Sequence, residues 1–280
     1  MRPINEQVLL ITGATDGMGR QMARDLAAQD ATLLLHGRDQ ARGEATLADI
    51  RAATGNDKLA YYRADFSALD EVRELAQRLL AEHSRLDVLV NNAGIGGGAR
   101  GDRTRALSRD GYELRFAVNY LAPLLLTRSL LPLLKASAPS RIVNVASIGQ
   151  APIAFDDVML ERGYEGLQAY SQSKLALIMF TFDLAEELQG TGVTANVLHP
   201  ASLMDTKMVF ESFGYNLSSV HDGAAATIRL MIDPKLEGVS GRYYDQLRET
   251  RAHNQAYDRD ARARLRALSE ELTGLTSATT

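Results

Sequence analysis

Several residue types are scarce or missing in this chain of 280 residues. It contains no cysteine, which excludes a disulfide scaffold and any zinc or iron–sulfur site with cysteine ligands. Acidic residues outnumber lysines and arginines by 35 to 31, giving a net charge of −4. This balance argues against a generally basic nucleic-acid binder, so no nucleic-acid partner is expected. A chain without cysteine fits a reducing compartment, and we expect a cytoplasmic location.

Long hydrophobic runs are also missing. The longest apolar runs, such as Leu121–Leu126 and Leu175–Phe180, are far shorter than the roughly 20 residues of a membrane-spanning helix. The N-terminal residues lead directly into a strand-like run, without the pattern of a signal peptide. We therefore expect no membrane anchor. The five histidines lack the spacing of metal ligands, so no metal site is predicted.

The chain does contain short apolar runs that alternate with helical patterns. The runs are nearly continuous in apolar residues, which is typical of parallel strands buried on both faces. Strands are predicted at Val8–Ile11, Thr32–His36, Leu59–Arg63, Val88–Asn91, Arg141–Val145, Thr194–Leu198 and Gly241–Tyr244. Helices are predicted at Arg20–Gln29, Gln40–Ala53, Ser67–His83, Ser108–Lys135, Leu167–Leu188 and Ser219–Ile232. The pattern predicts one α/β domain over residues 1–280, with a doubly wound (Rossmann) parallel sheet of about seven strands and helices on both faces.

Two segments interrupt this alternation, and a third ends the chain. Residues 149–166 have the composition of a loop. Residues 201–217 form an insert rich in Met and Phe. Inserts that follow strand ends are where open α/β sheets bind ligands, so we interpret residues 201–217 as a substrate lobe or lid. Residues 257–280 are predicted to form a C-terminal surface helix and a tail.

A glycine-rich turn follows the first predicted strand, with the sequence T-G-A-T-D-G-M-G at residues 12–19. Gly13 permits a tight exit from the strand, Gly17 permits close approach of backbone amides to a pyrophosphate, and Gly19 permits the helix to pack on the sheet. The anion would then lie at a helix N-terminus. A turn that merely contains glycines is the alternative, and the position at the first strand–helix junction favours the phosphate site.

The spacing T-G-x-x-x-G-x-G resembles that of the short-chain dehydrogenase/reductase family. Further motifs agree in order: Asp65 after strand three, N-N-A-G at residues 91–94, Asn119 in the long helix, Ser147 after strand five, and Y-S-Q-S-K at residues 170–174. The gap from Ser147 to Tyr170 resembles the retinol-dehydrogenase-like and carbonyl-reductase-like branch. The resemblance covers the chain from Val8 to Tyr244.

This resemblance implies that Asn119, Ser147, Tyr170 and Lys174 are catalytic. Tyr170 and Lys174 lie one helical turn apart, and a neighbouring ammonium is expected to lower the pKa of the tyrosine. Tyr170 would exchange a proton with the substrate oxygen, which Ser147 would hydrogen-bond. By the resemblance, Lys174 also holds the nicotinamide ribose and Asn119 supports a water in a proton relay. Taken singly, each residue has a structural explanation: a surface pair, a helix cap or a kink.

The same resemblance implies a nicotinamide dinucleotide cofactor. The implied contacts are Gly13, Thr15, Asp16, Gly17, Met18, Gly19, Arg38, Asp65, Phe66, Asn92, Ala93, Gly94, Tyr170, Lys174, Pro200, Ser202 and Leu203. Gly37 stands where NAD enzymes carry an acidic residue, and the adjacent Arg38 can bind a 2′-phosphate. We therefore expect NADP(H) to be preferred, with NAD(H) as the alternative. Asp16 and Asp39 weaken this expectation, because a carboxylate at either place can oppose the phosphate or engage the arginine.

The family pattern after strand six is altered in this chain. Ala201 replaces the usual glycine after Pro200, and the expected threonine comes one residue late, at Thr206. The backbone in this region normally meets the nicotinamide carboxamide, so the alteration leaves open which residue makes that contact.

The expected function is that of an NADP-dependent short-chain dehydrogenase/reductase of the alcohol dehydrogenase/carbonyl reductase class. It would reduce a hydrophobic ketone or aldehyde, or oxidise the matching alcohol. One alternative is a non-catalytic, dinucleotide-sensing protein of the same fold. Another is a Rossmann-like methyltransferase, which would need an acidic ribose ligand where Gly37 stands. Family members commonly associate through the two long helices, here 108–135 and 167–188, so a homo-oligomer is possible.

Overall fold

The computed structural model describes residues 1–99, 101–206, 209–210 and 214–275. Its strands are β1 Val8–Thr12, β2 Thr32–Gly37, β3 Leu59–Arg63, β4 Val88–Asn91, β5 Ser140–Val145, β6 Val193–His199, β7 Tyr243–Asp245 and β8 Arg248–Thr250. Its α-helices are α1 Gly17–Ala27, α2 Gln40–Thr54, α3 Leu69–Glu82, α4 Leu114–Ala136, α5 Gly166–Glu187, α6 Val220–Ile232 and α7 Arg259–Thr273. Parts of the predicted lobe and tail, residues 207–208, 211–213 and 276–280, lie outside the described residues. The lid role of 201–217 stays a prediction.

All eight strands belong to one sheet, in the order β3-β2-β1-β4-β5-β6-β7-β8. The first seven are parallel, and β8 runs antiparallel to β7. The predicted α/β class and doubly wound sheet are confirmed, but the count of about seven strands was one short. β8 has the sequence Arg-Glu-Thr and two of its three residues are exposed, so this edge strand carries none of the apolar signal by which the others were predicted.

The central strands alternate which face of the sheet each side chain enters. On β1, Leu10 joins one core cluster, while Leu9 and Ile11 join the other. The Leu10 cluster contains residues of α3, α4, α5 and α7, whereas the Leu9 cluster contains residues of α1, α2 and α6. The sheet is therefore covered by helices on both faces, which explains the near-continuous apolar strands.

The chain reverses its direction of travel across the sheet between β1 and β4. β1 pairs with β2 on one side and with β4 on the other. Strands β1 to β3 extend toward one edge, and β4 to β8 extend toward the opposite edge. Such a reversal opens a crevice at the carboxyl ends of the two adjacent strands, where open α/β sheets bind ligands. The site is therefore sought at the ends of β1 and β4.

Helix starts differ from the prediction where side chains cap the backbone. α1 begins at Gly17, because the Asp16 carboxylate accepts from its amide. The long helix α4 begins at Leu114 rather than Ser108, because Glu113 caps it and a bridge pairs Leu107 with Glu113. By length and composition α4 could cross a membrane, but 83% of its most apolar window is buried inside the protein.

The C-terminal helix α7 packs against α5. The guanidinium of Arg262 on α7 lies 3.2 Å from Asp183 and 2.9 Å from Glu186, both on α5. Tyr120 of α4 and Ser269 of α7 share a 2.6 Å hydrogen bond between hydroxyls. The predicted C-terminal helix is thus present and covers part of both long helices. Self-association through these helices stays a prediction.

Candidate active site

The glycine-rich turn after β1 is packed tightly against the end of β4. A Cβ atom on Gly13 would lie 2.8 Å from the Cα of Ala93, and one on Gly19 would lie 2.1 Å from the carbonyl oxygen of Gly13. The Asn92 amide donates to the carbonyls of Thr12 and Gly13, at 2.8 and 3.1 Å. Only glycine fits these two places. The predicted residues Asn92 and Ala93 therefore shape the turn by contact.

The start of α1 has polar and apolar neighbours that the motif did not reveal. Asp16 caps the helix and forms a 2.9 Å ion pair with Arg42, which lies in the first turn of α2. A Cβ atom on Gly17 would lie 3.3 Å from the methyl carbon of Thr206. Thr206, the displaced threonine of the loop after β6, thus reaches the helix start where a pyrophosphate would bind. Met18 is buried, so only its backbone is available to a dinucleotide.

At the end of β2, the tightly packed Gly37 is followed by the exposed Arg38. A Cβ atom on Gly37 would lie 2.8 Å from the Thr15 methyl and 2.9 Å from the Tyr61 hydroxyl. Arg38 is exposed. Asp39, which was expected to compete for that arginine, instead caps α2 by accepting from the Arg42 amide at 2.9 Å. Arg38 remains exposed, and its charge helps to lower the pKa of the Asp65 carboxyl at the end of β3.

His36 supports the glycine-rich turn from beneath. Its Nδ1 lies 3.4 Å from the Gly13 amide nitrogen, and its Nε2 lies 3.1 Å from the Ala64 carbonyl oxygen. Burial lowers the pKa of His36 from 6.5 to about 4. Nδ1 accepts and Nε2 donates only in the neutral tautomer protonated at Nε2. Sequence analysis missed this residue, because neither its spacing nor its neighbours mark it.

Asp65 and Phe66 follow β3 but differ in accessibility. The Asp65 carboxylate accepts from the Ser67 amide at 2.9 Å and lies 3.4 Å from Arg109. Phe66 is buried and stacks on His36, with ring centroids 4.2 Å apart. The side chain of Phe66 is therefore committed to the core, and only its backbone is left for a dinucleotide.

Asn119 is completely buried in a π-helical turn of α4, Ala117–Leu121. Its Oδ1 accepts from the Ile95 amide at 2.8 Å, and its Nδ2 donates to the Ile95 carbonyl and the Ser173 hydroxyl, both at 3.0 Å. A Cβ atom on Gly94 would lie 3.1 Å from Asn119 Oδ1 and 3.4 Å from Lys174 Nζ. Asn119 therefore ties the loop after β4 to α5 directly beside the lysine. Its water-relay role stays a prediction.

The Ser147 hydroxyl lies close enough to the Tyr170 hydroxyl to lower the pKa of the tyrosine, although 23 positions separate the two residues in the chain. The Ser147 hydroxyl also accepts from the Gly149 amide at 3.0 Å. Burial raises the pKa of Tyr170, and the nearby Ser147 hydroxyl lowers it by less. The expected net lowering of this pKa was therefore wrong in direction, because the effect of burial is the larger one. Tyr170 is a protonated donor at neutral pH.

Lys174 lies one helical turn after Tyr170, as predicted. Its Nζ is 5.8 Å from the centroid of the Tyr170 ring and donates to the Val145 carbonyl at 2.9 Å. Burial lowers the pKa of Lys174 to about 8. The ammonium form therefore dominates at neutral pH, close to the tyrosine and to the end of β5.

The loop after β6 is held by hydrogen bonds to its own flanks. His199 Nε2 lies 3.0 Å from the Ser202 hydroxyl, and the Ser218 hydroxyl donates to the Ser202 carbonyl at 2.6 Å. Leu203 has a positive φ of 46°, which is unusual for a residue other than glycine. His199 is buried at the strand end.

These residues form one continuous site along the carboxyl edge of the sheet. The tightly packed glycine-rich turn and the N-terminus of α1 lie at the end of β1, and the hydroxyls of Ser147 and Tyr170 lie beyond β5. A helix N-terminus at this edge of the sheet is suited to bind a diphosphate, so the site fits a nicotinamide dinucleotide. The arrangement can bind such a cofactor and deliver a proton from Tyr170 to a bound oxygen.

Comparison with known proteins shows which family this chain resembles. The short chain dehydrogenase family model matches residues 7–216. Retinol dehydrogenase 13 of Mus musculus is 36% identical over 97% of this chain and 85% of its own length. Retinol dehydrogenase 14 of Homo sapiens is 37% identical over 96% of this chain and 87% of its own. A short chain dehydrogenase of Escherichia coli CFT073 solved with NADPH has a TM-score of 0.72 and 26% identity, covering 88% of this chain and 98% of its own.

Proposed function

Because the chain belongs to the short-chain dehydrogenase/reductase family, in its retinol-dehydrogenase-like branch, we propose that it is an NADP(H)-dependent oxidoreductase that interconverts an apolar aldehyde or ketone and its alcohol. The proximity of the Ser147 and Tyr170 hydroxyls carries this proposal. It presents two hydroxyls to one substrate oxygen, with the Lys174 ammonium within reach of the tyrosine ring.

A nicotinamide dinucleotide held at the glycine-rich turn would supply the hydride for reduction of the carbonyl carbon. Tyr170 donates its Oη proton to the substrate oxygen, because burial keeps it protonated at neutral pH. The Ser147 hydroxyl donates a hydrogen bond to the same oxygen as negative charge develops there. The Lys174 ammonium stabilises the tyrosinate that remains after the transfer.

NADP(H) is favoured by the charges at the end of β2. Arg38 is exposed, and Arg42 lies across the gap between α1 and α2, paired with Asp16. Two guanidinium groups therefore face the region where a 2′-phosphate would lie, and no carboxylate fits at Gly37. Among solved relatives, the Escherichia coli neighbour was crystallised with NADPH.

An apolar substrate is favoured by exposed hydrophobic side chains beside the catalytic group. Ile148, which follows Ser147, is 58% exposed, and Leu167, three residues before Tyr170, is 44% exposed. Leu217 in the lobe after β6 is 71% exposed. Ile148 and Leu217 lie in loops that follow β5 and β6, and Leu167 lies in the first turn of α5. Exposed apolar groups of this kind mark binding surfaces. The named activity of the mouse and human relatives, retinol dehydrogenation, fits this choice.

A coupled screen tests the proposal. The purified protein is mixed with NADPH or NADH and with aliphatic, aromatic, steroid-like and retinoid carbonyls, and oxidation is followed at the nicotinamide absorbance. Turnover with NADPH and the more apolar carbonyls is expected. Tight NADPH binding without turnover across the panel would instead support the dinucleotide-sensing alternative. Binding of S-adenosylmethionine in place of NADPH would support a methyltransferase.

A further inference from the structure

A second buried polar cluster lies next to the catalytic group, between the two loops that flank it. It consists of Asp102 in the loop after β4, Glu113 and Arg115 at the start of α4, and Tyr164 in the loop before α5, and we refer to it as the Arg115 clamp. Glu113 is 1% exposed, Arg115 7% and Tyr164 8%. Two charged groups and a phenol are seldom buried together unless their partners are fixed, and Asp102 lies at the more exposed rim of the cluster.

Arg115 contacts every other part of the clamp. Its Nε donates to the Gly96 carbonyl at 2.8 Å, and its Nη1 donates to the Tyr164 hydroxyl. Its Nη2 lies 3.5 Å from the Asp102 carboxylate. The Tyr164 hydroxyl in turn donates to Glu113 at 3.0 Å. One planar guanidinium thus joins the loop after β4, the start of α4 and the loop before α5.

The two loops also touch through their backbones. A Cβ atom on Gly166 would lie 2.1 Å from the Gly97 carbonyl oxygen and 3.1 Å from Arg115 Nη2. The Gly166 amide donates to the Asp102 carbonyl at 2.8 Å. Gly166 is the first residue of α5, so the clamp fixes where this helix begins.

The two helices that begin at the clamp, α4 and α5, each carry a candidate catalytic residue about one helical turn further along the chain. Tyr170 is four residues beyond Gly166 on α5, and Asn119 is four residues beyond Arg115 on α4. The loop from 149 to 165 begins beside Ser147, since a Cβ atom on Gly149 would lie 3.5 Å from its hydroxyl. Movement in the clamp would therefore displace the loop that borders the reacting oxygen.

We propose that Arg115 is a positioning residue that holds the loop after β4 (residues 95–99 and 101–102) and the loop 149–165 at a fixed separation and so sets the width of the substrate opening beside Tyr170. The inference rests on the proposed oxidoreductase function for its kinetic consequence. Positioning errors of about 1 Å can reduce turnover by about 100-fold, so a loosened clamp acts on carbonyl turnover. The glycine-rich turn after β1, where the dinucleotide would bind, is held by contacts that do not involve the clamp.

Two mild variants test the clamp without leaving a buried carboxylate unpaired. Arg115→Lys keeps the charge but loses the planar fork, and Tyr164→Phe removes only the hydroxyl. We expect kcat/KM for the carbonyl to fall about 10- to 100-fold, with the ratio between a long and a short aliphatic aldehyde altered. The Kd for NADPH is expected to change less than twofold. Arg162→Ala, on the same loop but 78% exposed, is the matched control and should leave all values unchanged.

Equal losses in NADPH affinity and carbonyl turnover, or none in either, would overturn the positioning role. Hydrogen exchange separates this failure from failure of the proposed function. Even if the wild-type protein reduces no carbonyl, Arg115→Lys should speed amide exchange in residues 149–166 relative to Arg162→Ala. Unchanged exchange there would show that the guanidinium fork does not hold the loop.

Discussion

The Nδ1 atom of His36 lies 3.4 Å from the amide nitrogen of Gly13, which places an imidazole directly under the phosphate turn. The other ring nitrogen is 3.1 Å from the Ala64 carbonyl, and the ring stacks on Phe66. A proton added to Nδ1 would face the Gly13 N–H, so the cation loses its acceptor role as well as its hydration. The packing of β2 against the turn thus depends on a neutral histidine.

His36 makes the free energy of unfolding depend on pH in the acidic range. Its pKa is lowered from 6.5 to about 4 by burial, so the unfolded chain binds more protons between these two values. The contribution is fully present above about pH 6.5 and is lost as the pH falls toward 4. It amounts to about 3 kcal/mol in the free energy of unfolding, measured by urea denaturation at stepped pH.

The matched variants isolate this histidine. His36→Asn should remove most of the slope between pH 6.5 and 4, whereas His221→Gln, at an exposed position, should keep it. A wild-type free energy of unfolding that is constant over this range would contradict the prediction.

Tyr170→Phe removes one hydroxyl from the Ser147–Tyr170 pair. We expect kcat to fall by about 10²- to 10⁴-fold, because general acid catalysis is lost. The Kd for NADPH, measured by calorimetry, should stay within a small factor of the wild-type value. Tyr243→Phe is the control, since its hydroxyl bonds the Ser147 carbonyl rather than the Ser147 side chain. Near-normal turnover in Tyr170→Phe would refute the proton-transfer role.

The pKa of Lys174 predicts that the pH profile of carbonyl reduction has a falling limb on its alkaline side. Because burial lowers its pKa to about 8, the ammonium is present below that pH and is lost above it. Tyr170, whose pKa is raised, stays protonated there. We therefore expect kcat/KM for reduction, which reports the free enzyme, to fall as the pH rises through about 8.

Lys174→Arg tests the assignment of that limb, since arginine keeps its charge over the whole range. The variant should move the limb to higher pH, even if its absolute rate is lower. Lys135→Arg, at an exposed position, serves as the control. A limb that stays near pH 8 in Lys174→Arg would assign it to another group.

Patterns along the chain predicted the parts of the fold that depend on burial. Strands β1 to β4 were located within one residue, because continuous apolar runs mark strands that are buried on both faces. The charged edge strand β8 carried no such pattern. Motif spacing also brought Ser147 and Tyr170 together correctly, since Ser147 follows β5 and Tyr170 lies near the start of α5.

Contacts between distant loops could not be predicted from spacing. Arg42 meets Asp16 across 26 positions, and Arg115 meets Tyr164 across 49. An arginine on a helix has the same local signal whether it is solvated or paired, so only the tertiary arrangement distinguishes the two. The direction of the Tyr170 pKa was missed for a similar reason, because spacing reveals a nearby lysine but not the extent of burial.

Dinucleotide preference gives the last prediction. Gly37→Asp is not a clean way to reverse the preference for NADPH over NADH. The new Cβ would lie 2.8 Å from the Thr15 methyl and 2.9 Å from the Tyr61 hydroxyl, so the backbone or these side chains would have to shift. Arg38→Ala is cleaner, because that side chain is exposed. We expect it to weaken NADPH relative to NADH by about 1.5–3 kcal/mol, the usual contribution of a charged hydrogen bond, measured as Kd by calorimetry.

Arg42→Ala should act in the same direction for a further reason. It removes one cation and also leaves the Asp16 carboxylate unpaired beside the proposed 2′-phosphate position, since the two groups are 2.9 Å apart. The double variant with Asp16→Asn should therefore recover part of the lost NADPH affinity, because the repulsion is removed while the arginine is still missing. Arg24→Ala, exposed on α1, is the control and should leave the NADPH-to-NADH ratio unchanged. The prediction is contradicted if the wild-type protein binds NADH more tightly than NADPH and neither Arg38→Ala nor Arg42→Ala changes the ratio of the two Kd values. Neither guanidinium would then bind the 2′-phosphate.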